Sequence, residues 1–340
     1  MGIKIGGSME NLMISVAMAT YNGEKYLQAQ LDSILQQSLP VDEIIIVDDC
    51  STDKTVSIIE KYQNEDSRIL FFQNMKNLGY KLNFKKALSK CKGDYIFLCD
   101  QDDVWDVDKV KDMVFVLKEH PSILSLASSF REIDQNDRPV EVKLIPGRSN
   151  NNLLLKPVEE NALIEMTLDE FVFHNYFQGC SMVIKKELRN KFEEKFIDTL
   201  PHDWVLNIIA SAEKGMCFYN KPLFSYRIHD KNTIGLPDNQ KPTVKQKLNR
   251  IFNYDIRAAF AQERFDSLSA IKEIYPEYYE SVPEYDSMRI FYKNHLDFLK
   301  MGKPVSIGLQ NMNPYYKDLK PLKARLMDIF FCLLRKFRLV

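Results

Sequence analysis

The run Glu43-Ile44-Ile45-Ile46-Val47-Asp48-Asp49-Cys50-Ser51-Thr52-Asp53 passes from four β-branched residues straight into acidic and hydroxyl side chains. Continuous β-branched runs suit a strand buried on both faces, and the polar end marks the loop that follows. The pattern repeats on either side. Met13–Ala19 runs into Thr20-Tyr21-Asn22-Gly23, Arg68–Phe72 precedes Asn77-Leu78-Gly79, and Asp94–Cys99 runs into Asp100-Gln101-Asp102-Asp103. Between these strands, apolar residues recur at helical spacing: Tyr26, Leu27, Leu31, Ile34 and Leu35, then Val56, Ile59 and Tyr62, then a helix from about Lys81 to Lys90. Ser51 or Thr52 is the expected N-cap of the second helix.

This β-α-β-α-β-α-β order predicts an α/β fold, a Rossmann-like, mostly parallel sheet with helices on both faces. Ligands of such sheets bind outside the carboxyl ends of the strands, and all four polar loops fall there. Further strands are expected at 122–130, at 178–184, and as two short pieces at 217–219 and 223–227. A polar excursion is expected over 134–160 and a helix over His202–Ala212. Helices follow from Thr243 to Leu299, broken near Pro276 and Pro283. The organisation reads as a leader at 1–12 and a catalytic domain at 13–235, divided near 120. A helical extension follows at 236–316, then a basic amphipathic segment at 317–340.

Lys and Arg number 46 against 47 Asp and Glu, a net charge of −1, with 45% hydrophobic and 11% aromatic residues. This balance excludes a wholesale polyanion binder and a disordered chain. The six cysteines form no C-x-x-C pair, which excludes metal-finger spacing and fits a reducing compartment. The N-terminus lacks a signal-peptide apolar core, and no apolar run is long enough for a transmembrane helix.

Three carboxylates within Asp100–Asp103 repel one another unless they are solvated or bind a cation. Mg²⁺ or Mn²⁺ held by carboxylates and diphosphate oxygens is the matching chemistry. The bland alternative is an acidic loop capping a helix that begins near Val104. Asp48-Asp49 at a second strand end favours the cation. No phosphate-loop or dinucleotide glycine motif occurs, so a nucleotide would be held otherwise. Asp49 suits a base N–H, and the backbone of Thr20–Asn22 suits base and ribose.

The ordered segments VAMATYNGEKYLQAQLDSILQQS, IIIVDDCSTDKT, NLGYKLNFKKAL, GDYIFLCDQDDVW, GCSMVI, HDW and YRIH resemble family 2 glycosyltransferases of the GT-A fold over about 13–235. The DQDDVW form is similar to bacterial rhamnosyltransferase-like members of surface-polysaccharide synthesis. The resemblance implies an inverting, metal-dependent transferase. Its donor would be a UDP- or dTDP-sugar, dTDP-rhamnose among them, and its acceptor a hydroxyl of a glycan or lipid-linked saccharide. It places Asp102 as metal ligand, with Asp100 and Gln101 at the ribose or metal shell. Tyr21, Asp49, Asn77 and Gly79 fall on nucleotide positions, with Thr20 and Asn22 beside them. Asp203 falls on the general base, and His229 where metal or diphosphate is contacted. Gln178, Gly179, Cys180 and Trp204 are the acceptor-side candidates, Trp204 as a face for a sugar. Read from the residues alone, Asp203 is a helix cap, and the resemblance is what makes it the base.

Residues 317–340 hold seven basic and two acidic residues, a net +5 that leaves −6 for the rest. Basic residues around Leu326–Leu334 suit an interfacial helix on the inner face of the cytoplasmic membrane. The alternatives are a helix docked on the protein or on a second copy in a homodimer. The competing functions are a non-catalytic nucleotide-sugar-binding scaffold and a phosphoacceptor receiver domain, whose acidic pair would follow the first strand rather than the second.

Overall fold

In the computed structural model, which describes residues 12–141, 157–229, 249 and 252–337, strands β1 (Ile14–Thr20), β2 (Glu43–Asp48), β3 (Ile69–Gln73) and β4 (Tyr95–Cys99) lie parallel in the order β3-β2-β1-β4. Nearly all of the leader, the middle of the polar excursion, most of 230–251 and the last three residues of the basic segment lie outside the described residues. The described residues form two compact units, one up to His229 and one from Asn249.

Burial explains the apolar runs. β2 and β4 are buried along their whole length, and in register Val16 sits between Ile44 and Phe97. Helices α1 (Leu27–Leu35), α2 (Thr55–Glu65) and α3 (Tyr80–Lys90) connect these strands. They bury Leu27, Leu31, Ile34, Ile59 and Phe84. Each fully buried aliphatic side chain contributes about 1.5–3 kcal/mol.

The sheet continues as β8-β6-β9-β5, with β7 on β9, nine strands in all. The added elements are β5 (Val104–Trp105), α4 (Lys109–Glu119), β6 (Ser125–Ile133), β7 (Leu163–Glu165), α5 (Leu168–Phe171), β8 (Met182–Lys185), α6 (Lys186–Lys195), α7 (His202–Ala212) and β9 (Met216–Arg227). β8 runs antiparallel to both β4 and β6, so the second half of the sheet is mixed.

Four local expectations are corrected. Asp53, not Ser51 or Thr52, accepts the Thr55 N–H at the start of α2 (2.9 Å). Ser51 instead donates both its N–H and its hydroxyl to Asp48. Gly179–Ser181 is a 3-10 turn, and the strand begins only at Met182. Residues 216–227 form one strand whose pairing with β6 shifts register twice, where two pieces had been expected. Helix α4 begins at Lys109, because Val104 and Trp105 pair with Ser225 and Phe224 of β9. The loop at 100–103 therefore does not cap a helix.

The second unit is helical: α8 (Tyr254–Ile274), α9 (Pro276–Glu280), α10 (Glu284–Met301), α11 (Pro304–Leu309), α12 (Pro314–Leu319) and α13 (Leu322–Lys336). Prolines 276, 304 and 314 open three of them at a position whose N–H is not needed. Gly302 closes α10 in the left-handed conformation (φ 63°). At the centre, Asp328 of α13 is fully buried. It accepts from Arg257 (2.7 Å), Lys320 (2.9 Å) and Tyr316 (2.8 Å). No helix among the described residues is long and apolar enough to cross a membrane.

Candidate active site

The chain leaves β1 toward β2 and β3 on one side and reaches β4 on the other, so β1 and β4 flank the point where strand order reverses. A crevice opens there at the carboxyl ends. The loops after β1 and β4 are tied across it by one side chain. Gln101 Oε1 accepts from the Tyr21 N–H (2.9 Å), and Gln101 Nε2 donates to the Tyr21 carbonyl (3.0 Å). Gly23 makes room for this clamp, since a Cβ there would stand 2.2 Å from Gln101 Oε1.

The loop after β1 is also fastened to the loop after β2. Asn22, held at φ 48°, donates its N–H to Ser51 Oγ (2.8 Å) and accepts from the Thr52 N–H (2.8 Å). Thr20 is buried with its hydroxyl on Asp48 (3.1 Å). The side chains of Thr20, Asn22 and Gln101 thus organise loops, whereas the Tyr21 ring stays 47% exposed at the mouth. Asp49 draws in the third loop. Its carboxylate accepts from Asn74 Nδ2 (2.7 Å) and from the N–H groups of Leu78 and Gly79 (2.8 Å each). Asn77 donates to the Asp49 carbonyl (3.2 Å). Oδ2 has a single protein partner, which leaves capacity for one more donor. Gly79 stands at φ 81° with nothing near the place of a Cβ, so its edge is open.

The acidic loop is less exposed than its composition implies. Asp103 is fully buried. One of its oxygens accepts the Arg227 N–H (3.1 Å), and the other, Oδ2, has no hydrogen-bond partner among the described residues. Asp102 Oδ2 lies 2.8 Å from His229 Nε2. Asp100, Asp103 and Cys180 bring one ligand atom each within 4.8 Å of one another. Burial first, then the neighbouring Asp102, pushes Asp100 up to about 7 and holds Asp103 well above the carboxylate range. Burial keeps the Cys180 thiol protonated.

Two buried cations that sequence reasoning missed sit beneath this loop. Arg227 donates Nε to the Asp102 carbonyl (2.7 Å), pairs with Asp137 (2.6 Å) and stacks over the Tyr26 ring (4.5 Å), which also faces His229. Lys109 donates to the Cys180 carbonyl (2.7 Å) between the Trp105 and Phe224 rings, and burial pushes it down to about 8. Arg227 follows the largely apolar run Leu223–Tyr226, which was an available signal, whereas Lys109 stands among Asp106, Asp108, Lys111 and Asp112 and gave none.

Asp203 lies in the first turn of α7 and is 5% exposed. It accepts from the Gly179 N–H (3.1 Å) and the Trp204 N–H (2.8 Å). Burial raises its pKa to about 6 against these hydrogen bonds, which pull it down. Gly179 precedes Cys180, so the Asp203 side and the acidic loop meet at one turn. Gln178 closes the same turn through its carbonyl to Ser181. Trp204 is corrected: it is 3% exposed and its indole N–H is spent on the Phe171 carbonyl (2.8 Å), so it anchors α7 and offers no face to a sugar. Tyr80 is 41% exposed, and burial first, then the charge of Asp203, raises its pKa, which makes it the aromatic candidate on the side of that carboxylate.

A Rossmann-like half joined to a mixed sheet, with carboxylates at the strand reversal, is the architecture that carries the site. The profile of Glycosyl transferase family 2 matches residues 15–188, and the chain belongs to that family. It is 29% identical over 246 residues to dTDP-rhamnosyl transferase RfbG of Shigella flexneri, covering 67% of this chain and 77% of that one. It is 33% identical over 129 residues to the putative teichuronic acid biosynthesis glycosyltransferase TuaG of Bacillus subtilis, covering 38% and 51%. The structure of S. aureus TarS 1–349 in complex with UDP-GlcNAc superposes with a TM-score of 0.52 at 18% identity, covering 96% and 92%, which establishes the shared GT-A fold.

Proposed function

We propose that this family 2 glycosyltransferase moves a sugar from a nucleoside-diphosphate donor to a hydroxyl of a glycan or lipid-linked saccharide, with inversion, in cell-surface polysaccharide synthesis. The observation that carries the reading is the shared turn: Gly179 donates its N–H to Asp203, and the Cys180 thiol beside it lies within 4.8 Å of the Asp100 and Asp103 carboxylates. In this reading Asp203 serves as the base on one side of that turn and the acidic loop meets the diphosphate on the other.

In this reading the Tyr21 ring and the Asp49 carboxylate receive the base, and the Asn77–Gly79 edge lines the nucleotide. Asp203 takes the proton of the acceptor hydroxyl as its oxygen bonds the anomeric carbon and the carbon–diphosphate bond breaks. In this reading a single displacement inverts that carbon. A pKa near 6 leaves Asp203 ionised at neutral pH and more basic than a solvated carboxylate.

The donor set fits a hard divalent cation: clustered carboxylates, one with a buried, unpartnered oxygen. Asp100 and Asp103, with Asp102 and His229 alongside, would hold Mg²⁺ or Mn²⁺, and that ion would neutralise charge on the departing diphosphate. Cys180, kept as a thiol by burial, lies beside these carboxylates. The name of the Shigella relative favours dTDP-rhamnose as donor. Nucleoside-diphosphate release from a panel of UDP- and dTDP-sugars tests the reading. Acceptor-dependent release from one of them supports it, and release from none contradicts it.

A further inference from the structure

Helix α13 buries one carboxylate among apolar side chains and exposes a second apolar face. Its inward side carries Asp328, Phe331 and Cys332, all fully buried. Its exposed large side chains are Leu322, Leu326, Phe330, Leu333 and Phe337, between 40% and 68% exposed. At about 100° per residue these five fall within a stripe about 80° wide, opposite the buried side. The helix cannot roll to hide them. Asp328 accepts from Arg257, Lys320 and Tyr316, and any rotation would leave those groups buried and unpaired. The register is locked with the apolar stripe outward.

The charges beside the stripe indicate what covers it. Lys323 borders one edge, and Lys336 and Arg325 border the other, by the same helical count. Asp328, the one acidic residue of α13, is internal and already paired. An apolar seam between cations matches the acyl boundary and headgroups of an anionic bilayer. A second copy would set like charges against each other.

We infer that the outward face of α13 docks this protein on an anionic membrane surface, with Leu322, Leu326, Phe330, Leu333 and Phe337 entering the interface and Lys323 and Lys336 meeting headgroups. The docking is independent of the transfer reaction, so its test uses no turnover. The full chain is sedimented with phosphatidylcholine vesicles and with phosphatidylcholine–phosphatidylglycerol vesicles. Binding is expected to the mixed vesicles and to weaken with salt. The Lys323→Ala/Lys336→Ala variant should partition about 25-fold less, at about fivefold per cation. Leu326→Ser/Phe330→Ser, which alters only exposed positions, should lose binding with an unchanged melting temperature. Absence of binding by the parent chain overturns the inference, as does equal binding by the variants. So does a dimer that Leu326→Ser/Phe330→Ser dissociates while vesicles capture nothing, which would assign the stripe to a second copy.

Discussion

The Gly179 N–H points at the Asp203 carboxylate across 3.1 Å, joining the 3-10 turn after the excursion to the first turn of α7. This bond fixes the proposed base while leaving its carboxylate in a poorly solvated place. Burial outweighs the bond and raises Asp203 to about 6. Turnover at saturating donor should therefore be level above that pH and fall about tenfold per unit below it, as the base is protonated. A pH–rate profile checks this, and constant turnover down to about pH 4, the ordinary range of a carboxylate, would contradict it.

The Gln101 clamp makes Gly23 a test of donor binding. Alanine at 23 pushes against the end of a flexible side chain, so the fold should persist while the clamp on Tyr21 opens. Gly23→Ala should raise the donor KM severalfold, and in a Gln101→Ala background it should add little. The coupling should be about 1 kcal/mol. Additive effects in the cycle would show that the two residues act separately.

The helical unit depends on one buried carboxylate. Asp328→Ala strands the Arg257 guanidinium and the Lys320 ammonium in the interior. Urea unfolding of the full chain should show the transition of that unit weakened by about 3–5 kcal/mol. An unchanged unfolding curve would mean that the cations find water.

Chelation probes the acidic loop. Treatment with EDTA should stop nucleoside-diphosphate release, and Mg²⁺ or Mn²⁺ should restore it. Asp103→Asn should require far more metal for the same rate, because its unpartnered oxygen is the one most in need of a cation. Full activity in chelator would remove the metal from the account.

The first four strands were legible because their signal is local: a buried parallel strand is a run of Ile, Val and Phe, and its loop begins where the run stops. β5 and β7 were not, because two or three residues carry no periodicity and pair only through β9, far along the chain. Asp49, Asp100 and Asp203 stood out as carboxylates at strand ends or helix starts. What they bond to did not, since Leu78, Gly79 and Gly179 answer them with backbone N–H groups that any residue possesses. Arg227 and Lys109 look like surface charges in a sequence window and become internal only once β9 and α4 close over the loop. Trp204 was misread for the related reason that sequence adjacency to Asp203 turns it about 100° around α7, where it is buried against Phe171.

The central claim is that Asp203 takes the acceptor's proton. Asp203→Asn keeps the shape and, through its amide oxygen, one of the two hydrogen bonds from the Gly179 and Trp204 N–H groups, while removing the basic oxygen. Donor affinity measured by calorimetry beside transfer rate is the direct comparison. The account predicts donor binding near that of the parent with turnover lowered by about 10²–10⁴-fold. Turnover close to the parent's, with donor still bound, would contradict it.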